Sequence, residues 1–309
     1  MRTLITGGAG FIGSHVSDAF LGNGDEVAVI DDLSRGRAGR LRPSATLHTI
    51  DIRDANTLTA TVQRLRPEVI CHLAAQTDVR VSVRHPVIDA ATNILGTINV
   101  LEAARTVDAR VILASTGGAI YGGGVPVPSS EAQEPAPEAP YGAGKYCAEQ
   151  YLDLYNRLYG TKHAALRLAN VYGPRQDPTG EAGVVSIFCD RALSGGPSTV
   201  FGDGLQTRDF VYVGDAAQAF IAAARTELPG TWNIGTGRET CVLDLVVLVG
   251  EVSGRPLHVT YAPERDGEVR RSALAIDQAR LALGWTPSVD LAEGVGKVYR
   301  WIAAGSPDR

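Results

Sequence analysis

Tyr141 and Lys145 stand four residues apart in the stretch Tyr141-Gly142-Ala143-Gly144-Lys145. On a helix that spacing sets both side chains on one face. A free phenol ionises near pH ~10, too high for a base at neutrality. A neighbouring ammonium stabilises the phenolate, so a paired Lys can bring a Tyr into use as a proton acceptor. Any exposed helix can carry such a pair, and a second feature is needed to make it a site. Gly7-Gly8-Ala9-Gly10-Phe11-Ile12-Gly13 supplies it. Gly7, Gly10 and Gly13 fit GxxGxxG, and Gly8, Gly10 and Gly13 fit GxGxxG. Glycines so placed allow a tight turn, a close approach of pyrophosphate and close helix–strand packing. The pyrophosphate would rest on amides at the start of the helix opened by Phe11 and Ile12. A dinucleotide site beside a proton-transfer pair implies redox chemistry on a nicotinamide.

Those residues need a scaffold that brings them together, and the chain predicts one. Strand-like runs at Arg2–Thr6, Glu26–Ile30, Ala45–Ile50, Glu68–Leu73, Arg110–Ala114 and His163–Leu168 alternate with helical patterns. The helical patterns cover Phe11–Asn23, Asp54–Leu65, Val87–Ala104 and Tyr141–Tyr159. Such alternation implies a parallel sheet covered on both faces. The Pro- and Glu-rich stretch Val125–Pro140 must be a loop, and it lies between a strand end and the Tyr141 helix. After Leu168 the pattern is turn-rich (Gly173–Gly183, Ser194–Gly204, Pro263–Gly267), with helical runs at Gly214–Arg225, Cys241–Glu251 and Leu291–Ile302. The expected fold is α/β: a Rossmann-type doubly wound parallel sheet with a smaller C-terminal α/β substrate domain. The expected division is 1–168 plus about 209–235 for the dinucleotide domain, with 169–208 and 236–309 forming the substrate domain.

Asp31 ends the second strand, where an acid can accept from the adenosine ribose hydroxyls and repel a 2′-phosphate. NAD is therefore expected over NADP. Arg35 and Arg37 are the residues that would favour the opposite choice. Asp51-Ile52 follows the third strand and is placed to edge the adenine. No GxxxxGK[ST] occurs, which disfavours a P-loop hydrolase.

Bulk properties exclude other classes. A net charge of −5 gives no electrostatic case for nucleic acid. Cys71, Cys147, Cys189 and Cys241 lie far apart and form no CxxC, so neither a disulfide framework nor a thiolate metal site is implied. The six histidines show no metal-ligand spacing. No apolar run approaches the ~18 residues of a membrane span. A strand starting at residue 2 leaves no room for a leader, so a cytoplasmic location is expected.

The chain resembles the extended short-chain dehydrogenase/reductases, and among them the NAD-dependent epimerases and dehydratases of nucleotide sugars, in particular the UDP-hexose 4-epimerases. The resemblance runs along nearly the whole chain. It rests on Thr6–Gly13, Asp31-Asp32-Leu33, Asp51-Ile52, His72-Leu73-Ala74-Ala75, Asn93, Tyr141–Lys145, Asn170-Val171-Tyr172-Gly173-Pro174, Arg208–Val213 and Asn233-Ile234-Gly235. It implies that Asp32, Leu73, Ala74, Ala75 and Asn93 join the cofactor site. It implies a strand-end hydroxyl beside Tyr141. Counting forward from the strand gives Thr116, with Ser115 in reserve; counting back from Tyr121-Gly122 gives Gly117. It implies Asn170, Arg208 and Arg265 on a diphosphate and Glu268 on a ribose, where an aspartate is usual.

The implied reaction is C4 epimerisation of a UDP-hexose through a transient 4-keto sugar, by a homodimer. A UDP-glucuronate 4-epimerase would share these parts and want a cation in the loop after Pro174. Arg175 stands there, followed by Asp177, an acid that disfavours a hexuronate. A 4,6-dehydratase would want an acid pair where Gly117-Gly118 stand. A non-catalytic NAD-binding scaffold need not keep Tyr141, Lys145 and a strand-end hydroxyl together.

Overall fold

The computed structural model describes residues 1–178, 183–264 and 269–306. Its central sheet has seven strands: β1 (Arg2–Thr6), β2 (Glu26–Asp31), β3 (Thr46–Thr49), β4 (Val69–His72), β5 (Arg110–Thr116), β6 (Ala164–Leu168) and β7 (Gly230–Ile234). The order across the sheet is β7-β6-β5-β4-β1-β2-β3, and every pairing is parallel. Two apolar layers sandwich it. Ile5, Val29, Ile112 and Leu166 face helices Phe11–Gly22 and Val213–Arg225 through Val16, Phe20 and Phe220. Leu4, Ile30, Val111 and Leu113 face the other way, onto Leu58, Val62, Leu101, Ala148 and Leu152. Strands buried on both faces read as continuous apolar runs, which is why the sequence shows them so clearly.

The sheet changes direction between β4 and β1. Chain order runs one way from β1 to β3 and the other from β4, so a crevice opens at the carboxyl ends of β1 and β4. The glycine turn after β1 and the Leu73–Ala75 loop after β4 meet there.

A third apolar cluster lies apart from the sheet. It gathers Tyr172, Phe188, Val200, Phe210, Leu245, Val249, Val295 and Val298. Its helices are Val184–Ser194, Val242–Ser253 and Leu291–Ala303. The first of these, and the short helix Asp277–Leu283, carry no counterpart in the sequence reading. Nor does the strand Ser198–Phe201, which pairs in parallel with Val259–Ala262 inside a segment expected to be turns. The pattern at Val87–Ala104 also proves composite. Helices Val79–Arg84 and Pro86–Ala90 lead through a wide π turn, Ala91–Leu95, into Gly96–Arg105.

Asp209 ties these parts together. Its carboxylate is 1% exposed. It accepts from the Thr236 amide (2.8 and 3.0 Å) and hydroxyl (2.6 Å), the Gly237 amide (3.1 Å) and the Leu274 amide (3.2 Å). Burial pushes the carboxyl up, and these donors work against that. Buried donors stripped of their acceptor are expensive, so Asp209→Ala is expected to lower stability by about 3 kcal/mol. Urea denaturation would check this, and a change below ~1 kcal/mol would show that Asp209 ties nothing.

Candidate active site

The Tyr141 helix, Pro140–Tyr159, begins with proline at its first position, where the missing amide is no loss. The Ser82 hydroxyl accepts the Tyr141 amide at 3.2 Å. Gly142 lets the helix press on the loop after β5: a Cβ there would lie 2.4 Å from the Ala119 carbonyl oxygen. That approach brings the Tyr141 phenol to the Thr116 hydroxyl, and the two hydrogen-bond. Burial pushes the phenol up to about 12, while the Thr116 hydrogen bond pulls it down and Asp89 raises it. Lys145 is 3% exposed. Burial pushes its ammonium down to about 8, against the pull of Asp89 and Glu149. The chain thus builds a proton-transfer pair whose phenol still needs further positive charge to ionise near neutrality.

The strand-end hydroxyl is resolved by position. Thr116 is the last residue of β5, at the lip where the phenol lies. Ser115 instead gives its hydroxyl proton to the buried Glu149 carboxylate. Gly117 packs on Leu274 and carries no group to offer.

The glycine turn fits a dinucleotide. Gly7 has φ +69°, and a Cβ there would meet the Ala74 amide nitrogen at 2.6 Å. One on Gly13 would lie 2.1 Å from the Gly7 carbonyl oxygen. These contacts lock the turn against the helix and the β4 loop. At Gly10 only the Gly7 carbonyl is near, at 3.1 Å, so its outer side is open. Phe11, Ile12 and Gly13 begin the helix, and its first turn contains no acidic residue. The cradle therefore presents amides and an uncompensated helix N-terminus, the chemistry a pyrophosphate requires.

Asp31 is 6% exposed and accepts from the Ala9 amide and the Leu33 amide, both at 2.9 Å. A carboxylate has about four lone-pair sites, so capacity for a ribose diol remains. Burial pushes this carboxyl up, and the two amides oppose the shift. The two arginines that would favour a 2′-phosphate face acids: Arg35 lies 3.9 Å from Asp78, and Arg37 lies 3.9 Å from Asp177.

Other expected cofactor residues have protein partners. Leu73 and Ala74 hang from Thr6, by its carbonyl (3.0 Å) and its hydroxyl (3.3 Å), with Ala75 following in the same loop. Ile52 is core. Asp51 is clasped by Arg53, which holds its carboxyl below the usual range. Asp32 takes the Ser34 amide and hydroxyl. Asn93 is turned into the protein: its amide brackets the Gln76 backbone on both sides at 2.9 Å and meets Asp89 at 3.0 Å. The structure gives Asn93 the task of shaping the Leu73–Gln76 loop.

Of the expected substrate residues, Asn170 is half-buried, its side-chain oxygen 3.5 Å from where a Cβ on Gly118 would lie. Arg208 lies on the neighbouring two-residue strand and gives one bond to the Thr207 carbonyl. Arg265 and Glu268 lie outside the described residues. Arg175 stands in the loop expected to face the sugar. It pairs with Asp18 of the glycine-turn helix at 2.9 Å, beside His15, whose ring meets the Pro174 carbonyl at 2.9 Å. Asp177 faces Arg37 at 3.9 Å.

Three further groups were given no role from the sequence. His72 bridges Thr6 (2.7 Å) and Thr97 (3.0 Å), and burial pushes its imidazole down to about 3. Asp89, 1% exposed, stands behind the Tyr–Lys pair. Glu149 and Arg167 form a buried ion pair beneath it. Glu149 was within reach, since it continues the four-residue spacing of Tyr141 and Lys145.

From Asp31, and from the acids facing Arg35 and Arg37, the chain is expected to bind NAD at least ten times more tightly than NADP. Calorimetry with both decides it. Tighter NADP binding would hand the choice to Arg35 or Arg37.

Comparison with known proteins agrees with this geometry. The NAD dependent epimerase/dehydratase family matches residues 3–235. The UDP-glucose 4-epimerase of Mycolicibacterium smegmatis is 45% identical over 309 residues, spanning 98% of each chain. The crystal structure of the Thermotoga maritima UDP-glucose 4-epimerase with UDP-glucose superposes with a TM-score of 0.97 at 45% identity, covering 99% of both chains. That of the Thermus thermophilus UDP-glucose 4-epimerase in complex with NAD gives 0.92 at 42% identity, covering 97% of this chain and 98% of the other. A glycine cradle at the β1/β4 crevice, a buried acid on β2 and a Tyr–Lys pair at the lip of β5 are thus found in a chain that belongs to the NAD-dependent epimerase/dehydratase family.

Proposed function

We propose that this protein interconverts UDP-glucose and UDP-galactose by NAD-dependent epimerisation at C4. The observation that carries the reading is the Tyr141–Thr116 contact with Lys145 buried one turn away, at the carboxyl edge of a sheet bearing a dinucleotide cradle. The relatives named above point to the same substrate.

The chain's residues divide the work. Gly7, Gly10 and the amides of Phe11, Ile12 and Gly13 hold a pyrophosphate, and Asp31 holds a ribose. NAD held by these residues would supply a hydride acceptor for C4 of the sugar and, once reduced, the donor for its return. Tyr141 accepts the 4-hydroxyl proton as the C4–H bond breaks, and gives it back when the hydride returns. Thr116 orients the oxygen that becomes the carbonyl. Lys145 supplies the charge that makes the phenolate accessible. The 4-keto sugar must turn over in the site between the two transfers. Asn170 and Arg208, with Arg265 and Glu268, are assigned to the UDP, and 169–208 with 236–309 to the substrate-binding unit.

Gly117-Gly118, where a dehydratase would carry its acids, support epimerisation over elimination. Arg175, committed to Asp18, weakens the UDP-glucuronate reading. Incubation with UDP-glucose should yield UDP-galactose with no net change in NADH. Tyr141→Phe should retain bound NAD while losing about 10²–10⁴-fold in kcat, the usual worth of a general base. Near-normal turnover by that variant, or a kcat/KM for UDP-glucuronate tenfold above that for UDP-glucose, would overturn the respective assignment.

We further propose a cytoplasmic homodimer. Val83, Val87, Ile88, Leu95, Leu154 and Leu158 are exposed on Val79–Leu95 and on the Tyr141 helix, more apolar surface than a lone helix pair normally leaves in water. Paired with its mate, this face closes a four-helix bundle. Sedimentation at micromolar concentration should give twice the chain mass, and Leu158→Glu should shift it toward one. A parent that sediments as a single chain rules the dimer out. Among the described residues no helix is long and apolar enough to cross a membrane.

A further inference from the structure

We propose that Glu149 is the positioning residue of the Tyr141–Lys145 pair: clamped by Arg167 and Ser115, its buried carboxylate fixes the rotation of their helix and supplies the negative charge that keeps the Lys145 ammonium charged. The kinetic part of this proposal rests on the epimerase reading above; the part that concerns Lys145 itself does not.

The geometry is a chain of buried polar groups. Tyr141, Lys145 and Glu149 follow at four-residue spacing, so they share one helix face. Glu149 is 2% exposed and Arg167 6%. The guanidinium grips the carboxylate along one edge, Nε at 3.0 and 3.2 Å and Nη2 at 2.7 Å. Ser115 donates to the same carboxylate from β5, where it stands in register with Arg167 on β6. Arg167 continues through Nη1 to the Tyr121 hydroxyl at 2.8 Å, and its guanidinium stacks 5.1 Å from that ring's centroid. Tyr121 donates to Asn233 on β7 at 2.8 Å. Asn233 in turn holds the Pro/Glu loop, donating its side-chain amide to the Ser129 carbonyl (2.9 Å) and its backbone amide to the Glu131 carboxylate (2.8 Å). Three strands and the loop after β5 are thus fixed to the helix through one carboxylate, one turn beyond Lys145.

The groups that face Lys145 come from three elements. Asp89, from Pro86–Ala90, and Glu149, from its own helix, both favour the ammonium. His72 on β4 is held neutral by burial and by Lys145 itself. Arg167 stands behind Glu149. Removing the Glu149 charge both deletes one of two favourable carboxylates and leaves the Arg167 cation without its counterion.

The chain has only three lysines, Lys145, Lys162 and Lys297, so each ammonium can be followed separately. Lys162 and Lys297 are surface residues paired with Glu227 and Glu293. The experiment is a pH titration of the three side-chain nitrogens by NMR in lysine-labelled protein without sugar, run beside the pH profile of kcat for UDP-glucose. In the parent, Lys145 should titrate at about 8. In Glu149→Gln, which keeps the shape of the side chain, that titration should fall by about one unit, and the alkaline limb of kcat should fall with it. Lys162 and Lys297 should not move.

A folded Glu149→Gln whose Lys145 titration is unchanged, or which loses activity evenly at all pH, shows a merely structural carboxylate and overturns the proposal. Orphaning Arg167 can unfold the single variant. The double variant Glu149→Gln/Arg167→Met removes both charges, a replacement that cores tolerate, and must show a downward shift smaller than the single variant's, because the orphaned cation is gone as well. A shift in Lys145 in a chain that turns over no UDP-sugar upholds the positioning role and sinks the substrate reading alone.

Discussion

A cation that must stay charged inside protein constrains this site more than any other feature. Lys145 is buried, and burial favours the neutral amine. Yet a neutral amine does nothing for the phenol beside it. The fold answers with two carboxylates at hand, Asp89 and Glu149, each itself held by donors: Gln76 and Asn93 for the first, Arg167 and Ser115 for the second. Burial pushes the Asp89 carboxyl toward its protonated form, and the Gln76 and Asn93 donors oppose that. The Tyr141–Lys145 pair is therefore only the visible end of a set of mutually dependent charges. Asp89 also shows the cost of the arrangement, since the charge that favours Lys145 raises the Tyr141 phenol.

The sheet decides where that set can be assembled. Because all seven strands are parallel, their carboxyl ends line one edge. The reversal between β1 and β4 separates the loops there and leaves the Gly7 turn facing Ala74. Thr116 ends β5, next to β4, and Asp31 ends β2, on the far side of β1. A dinucleotide lying across the crevice would place its two ends at these two residues, which is why one topology serves both binding and proton transfer.

What the sequence showed of this was whatever depends on short spacing. The glycine turn, the acid at the end of β2 and the four-residue step from Tyr141 to Lys145 are local, and periodicity placed them on the right elements. The apolar runs of the doubly buried strands were equally plain. What it hid depends on which distant elements meet. The pairing of Arg175 with Asp18 depends on where the Phe11–Gly22 helix lies. The bonds from Asn93 to Gln76 depend on how the β4 loop folds over it. Asp51 was a different case, since Arg53 two residues on was close enough to be suspected. The helix Val184–Ser194 was lost among turn residues on either side. The strand Ser198–Phe201 is too short to show a period and owes its existence to Val259–Ala262.

Arg167 interrupts the apolar run Ala164–Leu168, a strand buried on both faces. A guanidinium in such a place demands an acid, because an unpaired buried charge costs far more than a strand residue can return. Yet a buried ion pair is seldom the most stable filling for its space; apolar residues of like volume often do as well or better. Stability alone therefore explains poorly why Glu149 and Arg167 stand where they do. Their position explains it better. The pair lies one helical turn from a cation that needs an acid, and on the strand next to the one that ends in Thr116. A hydrocarbon filling would hold the helix equally firmly, but it would neither orient Tyr121 toward Asn233 nor favour the ammonium of Lys145.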